Sequence, residues 1–149
     1  MNERFARRMA DPKVRHDTRL LGDFVDIYCE GNHADRDRAP LASDAAGLGV
    51  YGKRVPRLCA ACADHARYAE QRRAYCPKDP KPFCANCDTH CYRNAEAEWQ
   101  RVMMRYSGPK SWKRGYAIDG IKHVLESRRA RKQSERTESE TPADQRRTP

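Results

Sequence analysis

All seven cysteines of this 149-residue chain fall between residues 29 and 91, and that clustering constrains its fold more than any other feature. The densest stretch reads Cys76-Pro-Lys-Asp-Pro-Lys-Pro-Phe-Cys84-Ala-Asn-Cys87-Asp-Thr-His90-Cys91. A further pair, Cys59-Ala-Ala-Cys62, stands upstream of it, and Cys29 with His33 upstream of that. Thiolates are soft, charged ligands, and two of them three residues apart grip one ion while their backbone N–H groups turn toward the sulfurs. Cys59-x2-Cys62 followed by Cys84-x2-Cys87 matches the paired-knuckle pattern of structural zinc, with a slightly long gap between the knuckles. With Cys29, His33, Cys76 and Cys91 the candidates number eight, enough for two tetrahedral zinc sites or for one zinc beside an iron–sulfur cluster. One partition gives Cys59, Cys62, Cys84 and Cys87 to one ion and Cys29, His33, Cys76 and Cys91 to the other. The alternative groups Cys76, Cys84, Cys87 and Cys91, whose close spacing has the look of a cluster-binding loop.

Disulfides fit the pattern poorly. The first ten residues, Met1 to Ala10, hold no apolar signal-peptide core, and seven is an odd number to pair. No apolar run approaches the roughly 20 residues that cross a bilayer, so the sequence predicts a cytoplasmic protein with no membrane contact. A hydrophobic fraction of 38% and a mean hydropathy of -1.04 give a weak core for this length, a deficit that metal ligation would offset. The formal charge of +9 invites a nucleic-acid partner, but the bases concentrate toward both ends among acids, and metal-bound thiolates would lower the charge of the middle. Nucleic acid is therefore a second choice behind a protein partner.

Along the chain, Met1 to Ala10 reads as a mobile leader, and Asp11-Pro12 offers a helix cap with proline in the first turn. Leu21, Phe24, Val25 and Tyr28, widened by Leu20 and Ile27, form one helical face that Cys29 closes before Glu30-Gly31-Asn32 breaks the helix. Residues 34–56 have no period and predict a loop pinned by Leu48, Val50 and Tyr51. A second helix is expected over Ala60 to Tyr75, with Ala66, Ala69 and Arg73 on one face and His65 a helix-face residue, not a ligand. Pro77, Pro80 and Pro82 forbid regular structure before the third helix, Ala95 to Tyr106, whose buried stripe would be Trp99, Val102, Met103 and Tyr106. A last helix over Lys113 to Arg129 would turn Ile118, Ile121, Leu125 and Trp112 inward. The fold class is thus mainly α: a small helical single domain over residues 13–126 stapled by Cys/His metal sites, with a disordered leader (1–12) and a disordered charged tail (127–149).

There is no glycine-rich phosphate loop, no Ser/His/Asp ordering and no carboxylate pair, so the cysteines are the only nucleophiles on offer. The strand-helix-strand frame of a redox C-x2-C is also missing, which sets a thiol redox or denitrosylation enzyme behind a non-catalytic metal protein.

Taken together, Ile27-Tyr28-Cys29-x-Gly31-x-His33, Leu58-Cys59-x2-Cys62, Tyr68-Ala69, Lys81-Pro82-x-Cys84-x2-Cys87-x2-His90-Cys91-Tyr92-Arg93 and Val102-Met103-x-Arg105-Tyr106-Ser107-Gly108-Pro109 resemble the nitrous oxide-stimulated promoter family of small bacterial proteins. The resemblance spans about Phe24 to Leu125. It implies a role in the response to nitric oxide or nitrosative stress and attaches no activity. This chain departs from the pattern at Asn32, where a second histidine is expected, in the longer loop 34–56, and at Gly115-Tyr116, where a His-Pro step is expected. The function expected is that of a zinc or iron–sulfur accessory or regulatory protein.

Overall fold

The computed structural model describes residues 1–78, 81–82, 84, 87–89 and 91–140. Among the described residues six α-helices carry the chain: α1 (Glu3–Ala10), α2 (Pro12–Asn32), the short α3 (Asp44–Gly47), α4 (Ala60–Ala74), α5 (Asn94–Ser107) and α6 (Ala117–Glu140), with a 3₁₀ helix (Gly108–Arg114) between the last two. Two-residue strands β1 (Ala39–Pro40) and β2 (Arg57–Leu58) pair antiparallel and close off the loop between them. His90 and the tail beyond residue 140 lie outside the described residues. Among the described residues, no helix is long and apolar enough to cross a membrane.

α2 is the spine. Its cap is the expected one: the Asp11 carboxylate accepts the N–H groups of Lys13 (2.8 Å) and Val14 (3.1 Å), and Pro12 stands in the first turn. Val14, Thr18, Phe24, Val25 and Cys29 are buried along it. The helix runs past the expected break to Asn32, because Gly31 carries no side chain where the Tyr106 ring lies. A Cβ there would stand 1.9 Å from the Tyr106 hydroxyl oxygen. The same close approach recurs at Gly22, where a Cβ would meet Cε1 of Tyr51 at 2.3 Å.

α4 packs on α2 through the expected face, with Ala66, Ala69 and Arg73 buried. The Arg73 guanidinium donates to Asp17 on α2 at 2.8 Å, so its charge is partnered where it is desolvated. Leu41, Ala45, Val50 and Tyr51 pin the long loop to the core. The Tyr51 hydroxyl (2.6 Å) and the Ser43 hydroxyl (2.9 Å) both donate to the buried Glu70 carboxyl on α4.

Burial raises the Glu70 pKa above the ordinary carboxylate value, and the two hydroxyl donors only partly oppose it. The folded chain therefore keeps this proton where the unfolded chain has released it, and stability falls as pH climbs from the ordinary value through the raised one. Glu70→Gln keeps an acceptor for both hydroxyls and removes the titration. The variant should lose the part of the pH dependence of the urea midpoint that lies in that window, and an unchanged slope would assign the titration elsewhere.

Four expectations are corrected. Residues 3–10 form a helix, not a mobile leader: Asn2 caps it, Phe5 and Met9 are fully buried, and the Arg8 guanidinium donates to the Ala74 carbonyl at 2.9 Å. On α5 the inward side is Gln100, Met103 and Ser107, leaving Val102 43% exposed, because the Ser107 hydroxyl is drawn to the Phe24 carbonyl at 2.7 Å. Ile118, Ile121, Leu125 and Trp112 face outward, at 66%, 60%, 47% and 60% exposure. The turn responsible is at Gly115 (φ 92°), after which the Tyr116 hydroxyl anchors to Asp23 at 2.5 Å and α6 packs chiefly on the 3₁₀ helix. α6 also continues helical to Glu140 instead of giving way to a tail at Ser127, since residues 121–140 contain neither Gly nor Pro and are rich in Arg, Glu, Lys and Gln.

Candidate metal centre

Cys29 occupies the last turn of α2, and His33 is that helix's C-cap, its N–H bonded to the Cys29 carbonyl at 2.9 Å. Cys59 follows β2 directly and N-caps α4, which places Cys62 in the first turn of α4. The two helix ends meet. The Cys59 N–H donates to Cys29 Sγ at 3.3 Å, and His33 Nδ1 lies 3.2 Å from Cys62 Sγ and 3.5 Å from Cys59 Sγ. All four ligand atoms stand within 4.8 Å of one another, so this group could hold a metal ion. Cys29, Cys59 and Cys62 are buried and His33 is half-buried.

The four donors differ in their electrostatics. Burial alone would raise the Cys59 pKa, but hydrogen bonds from the Cys62 N–H and from the Cys62, Cys29 and Arg36 side chains outweigh it and lower the value, favouring the thiolate. Burial and the neighbouring thiols push the Cys62 thiol up. Burial, then the Arg36 charge, lower the His33 pKa and keep its ring neutral, the form that binds metal. Three thiols and one imidazole are the donor set of a Cys3His zinc site. Zinc–sulfur bonds of ~2.3 Å on tetrahedral axes separate the sulfurs by about 3.8 Å, a separation that the 4.8 Å spread of these ligand atoms can accommodate.

Residues that the sequence reading did not single out hold the centre together. Asp26, one turn before Cys29, accepts from Arg38 (2.8 Å), from the Arg57 N–H (3.3 Å) and from Arg114 (2.7 Å), tying α2 to β2 and to the 3₁₀ helix. The strand that delivers Cys59 is thereby fixed to the helix that delivers Cys29. On the other side, Tyr28 meets His33, Trp99 and Tyr106 edge-on at centroid distances of 5.6, 5.1 and 5.7 Å. His65 is no ligand of this group: it is buried, stacks on Trp99 at 3.6 Å and bonds Gln100 at 2.9 Å. An acid three residues before a cysteine in an otherwise apolar stripe was the available signal for Asp26.

Of the two partitions that the sequence offers, the structure departs from the first and brings together the four residues that the alternative leaves. Cys59 and Cys62 join Cys29 and His33 and not Cys84 and Cys87, because β2 returns the chain to the end of α2. Cys76, Cys84, Cys87 and Cys91 lie apart, on the connection between α4 and α5. Among the described residues they form no group whose ligand atoms all come within 4.8 Å, and none of the seven cysteines is in a disulfide. Burial raises the Cys91 pKa, and charge on Cys84 and Cys76 adds to it.

A protein-family model described as "Nitrous oxide-stimulated promoter" matches residues 12–136. The chain belongs to this family. The chain is also similar to "Uncharacterized protein YgbA" of Escherichia coli (strain K12), at 33% identity over 64 residues, 42% of this chain and 53% of that protein. The chain thus spans about half the length of the curated relative it matches. No solved structure matches. The family segment, 12–136, takes in all eight candidate ligands.

Proposed function

We propose that this member of the nitrous oxide-stimulated promoter family is a non-catalytic zinc protein of the cellular response to nitrogen oxides. Its Cys29/His33/Cys59/Cys62 centre would fasten the C-terminus of α2 to the N-terminus of α4. The convergence of four ligand atoms from two helix ends carries this reading. The family's description supports the setting, and thiolates are groups that nitrogen oxides modify by S-nitrosylation. Zinc would supply charge neutralisation and cross-linking there, and the chain's own residues orient the donors and exclude water. A cytoplasmic setting suits a thiolate centre, because thiols are kept reduced there.

Its partner is a protein in this reading. Ile118, Ile121, Val124 and Leu125 run as an exposed stripe along α6, which contacts to phosphates would leave uncovered. Elemental analysis and an absorption spectrum of anaerobically purified protein test the metal assignment. Zinc without visible absorbance is expected, and it should stay bound in Cys76→Ser and Cys91→Ser. Iron with acid-labile sulfide retained in those variants would replace zinc by a cluster at this centre.

A further inference from the structure

The four remaining cysteines have no role in the centre just described, and they are not core residues: Cys84 is exposed and Cys76, Cys87 and Cys91 are half-buried. A thiol retained as a small hydrophobe is ordinarily buried, as Cys29, Cys59 and Cys62 are. The connection they occupy, residues 75–93, holds no α-helix or β-strand among the described residues, and long connections inside compact domains are uncommon and often functional.

The backbone returns both ends of this connection to one helix. The Cys87 N–H reaches the Cys84 carbonyl at 3.3 Å, and a C-x2-C step is the spacing at which two sulfurs can face one ion. Cys76 leaves α4 with its N–H on the Arg73 carbonyl at 3.4 Å. The chain returns to the same helix just past Cys91. There the Arg93 N–H bonds the Tyr68 hydroxyl at 3.2 Å, and the Tyr92 ring packs edge-on against Tyr68 at 5.5 Å. Both ends of the connection are thus fixed to α4, and a Lys78–Asp88 ion pair at 2.6 Å draws its middle together. Cations already face the set: Lys81 Nζ stands 3.6 Å from Cys84 Sγ, and Arg72 lies over the Tyr68 ring at 4.8 Å. Four thiolates round one divalent ion leave a net negative charge that these bases neutralise.

We propose that Cys76, Cys84, Cys87 and Cys91 form a second, all-thiolate metal centre for a single zinc-class ion, which staples the α4–α5 connection and exchanges its ion more readily than the buried Cys3His centre. It stands beside the first centre and does not depend on it. The physical ground for the difference in exchange is access, since a chelator can reach Cys84 without opening the core.

The test uses the full chain, loaded with zinc and separately with Co²⁺, as parent and as Cys84→Ser/Cys87→Ser, with helicity followed by circular dichroism. The parent should hold about two ions and show ligand-field bands of both a CoS3N and a CoS4 chromophore. The double variant should stay helical, hold half as much metal and keep only the CoS3N bands. A chelator should strip the outer ion about an order of magnitude faster than the inner one. A parent with one ion and CoS3N bands alone would overturn the second centre and leave the first intact. An iron–sulfide absorbance lost in the double variant would overturn the assignment to a single ion.

Discussion

Cys62→Ala is expected to leave the chain without a cooperative unfolding transition, and chelation of the parent's metal should do the same. Structural zinc in small domains contributes about 10 kcal/mol or more, which equals or exceeds the whole stability of a typical domain. Here the ion would sit where α2 and α4 meet, the most extensive helix contact of the fold. Without it, three buried sulfurs and an imidazole face one another with no cation between them. Circular dichroism and a thermal melt, with zinc added back to the chelated parent, measure the effect. A demetallated protein that keeps its helicity and a sharp melt would show that the Cys3His group is a passenger in the fold.

Gly22→Ala is expected to destabilise the fold strongly, although it adds only one methyl group to the spine. Alanine normally favours a helix over glycine by about 1 kcal/mol. At this position the new Cβ would stand 2.3 Å from Cε1 and 2.9 Å from Cζ of Tyr51, a ring only 4% exposed and held by its bond to Glu70. Either α2 shifts or the ring does. Overpacking of this kind costs about 1–3 kcal/mol, and a broken Tyr51–Glu70 bond leaves a buried carboxyl short of a donor for about 1–3 kcal/mol more. The net loss should be about 2–4 kcal/mol, a fall in Tm of roughly 5–12 °C for a chain of this size. Gly120→Ala is the matched comparison, since nothing lies within 4 Å of its Cβ and the change should be neutral or stabilising. Equal melting temperatures for the two variants would mean that Tyr51 moves aside freely.

Much of this arrangement was legible in the sequence where the signal was local. Asp11-Pro12 and the apolar stripe beginning at Leu20 mark α2 because cap chemistry and helical periodicity are properties of neighbouring residues. Ala66, Ala69 and Arg73 mark the inward face of α4 for the same reason. The ligand partition was not local. A C-x2-C step fixes which sulfurs share a turn and is silent on which turns meet, and that is decided by β2 bringing Cys59 to Cys29. Helix α1 was missed because its apolar content is two residues, Phe5 and Met9, among charged neighbours. The outward face of α6 was misjudged because periodicity shows that a helix has an apolar side and cannot show that another element covers it.

The first helix separates two meanings of the word domain. The family segment opens at residue 12, yet Phe5 and Met9 sit at zero exposure in the same core as Val14, Ala74 and Met103, and Arg8 ties that helix to the end of α4. The segment that the family model matches is thus shorter than what folds together. The residues ahead of the shared segment act as a clamp on the point where α4 hands the chain to Cys76, so the outermost thiols are steadied by a stretch of sequence that the family pattern leaves out.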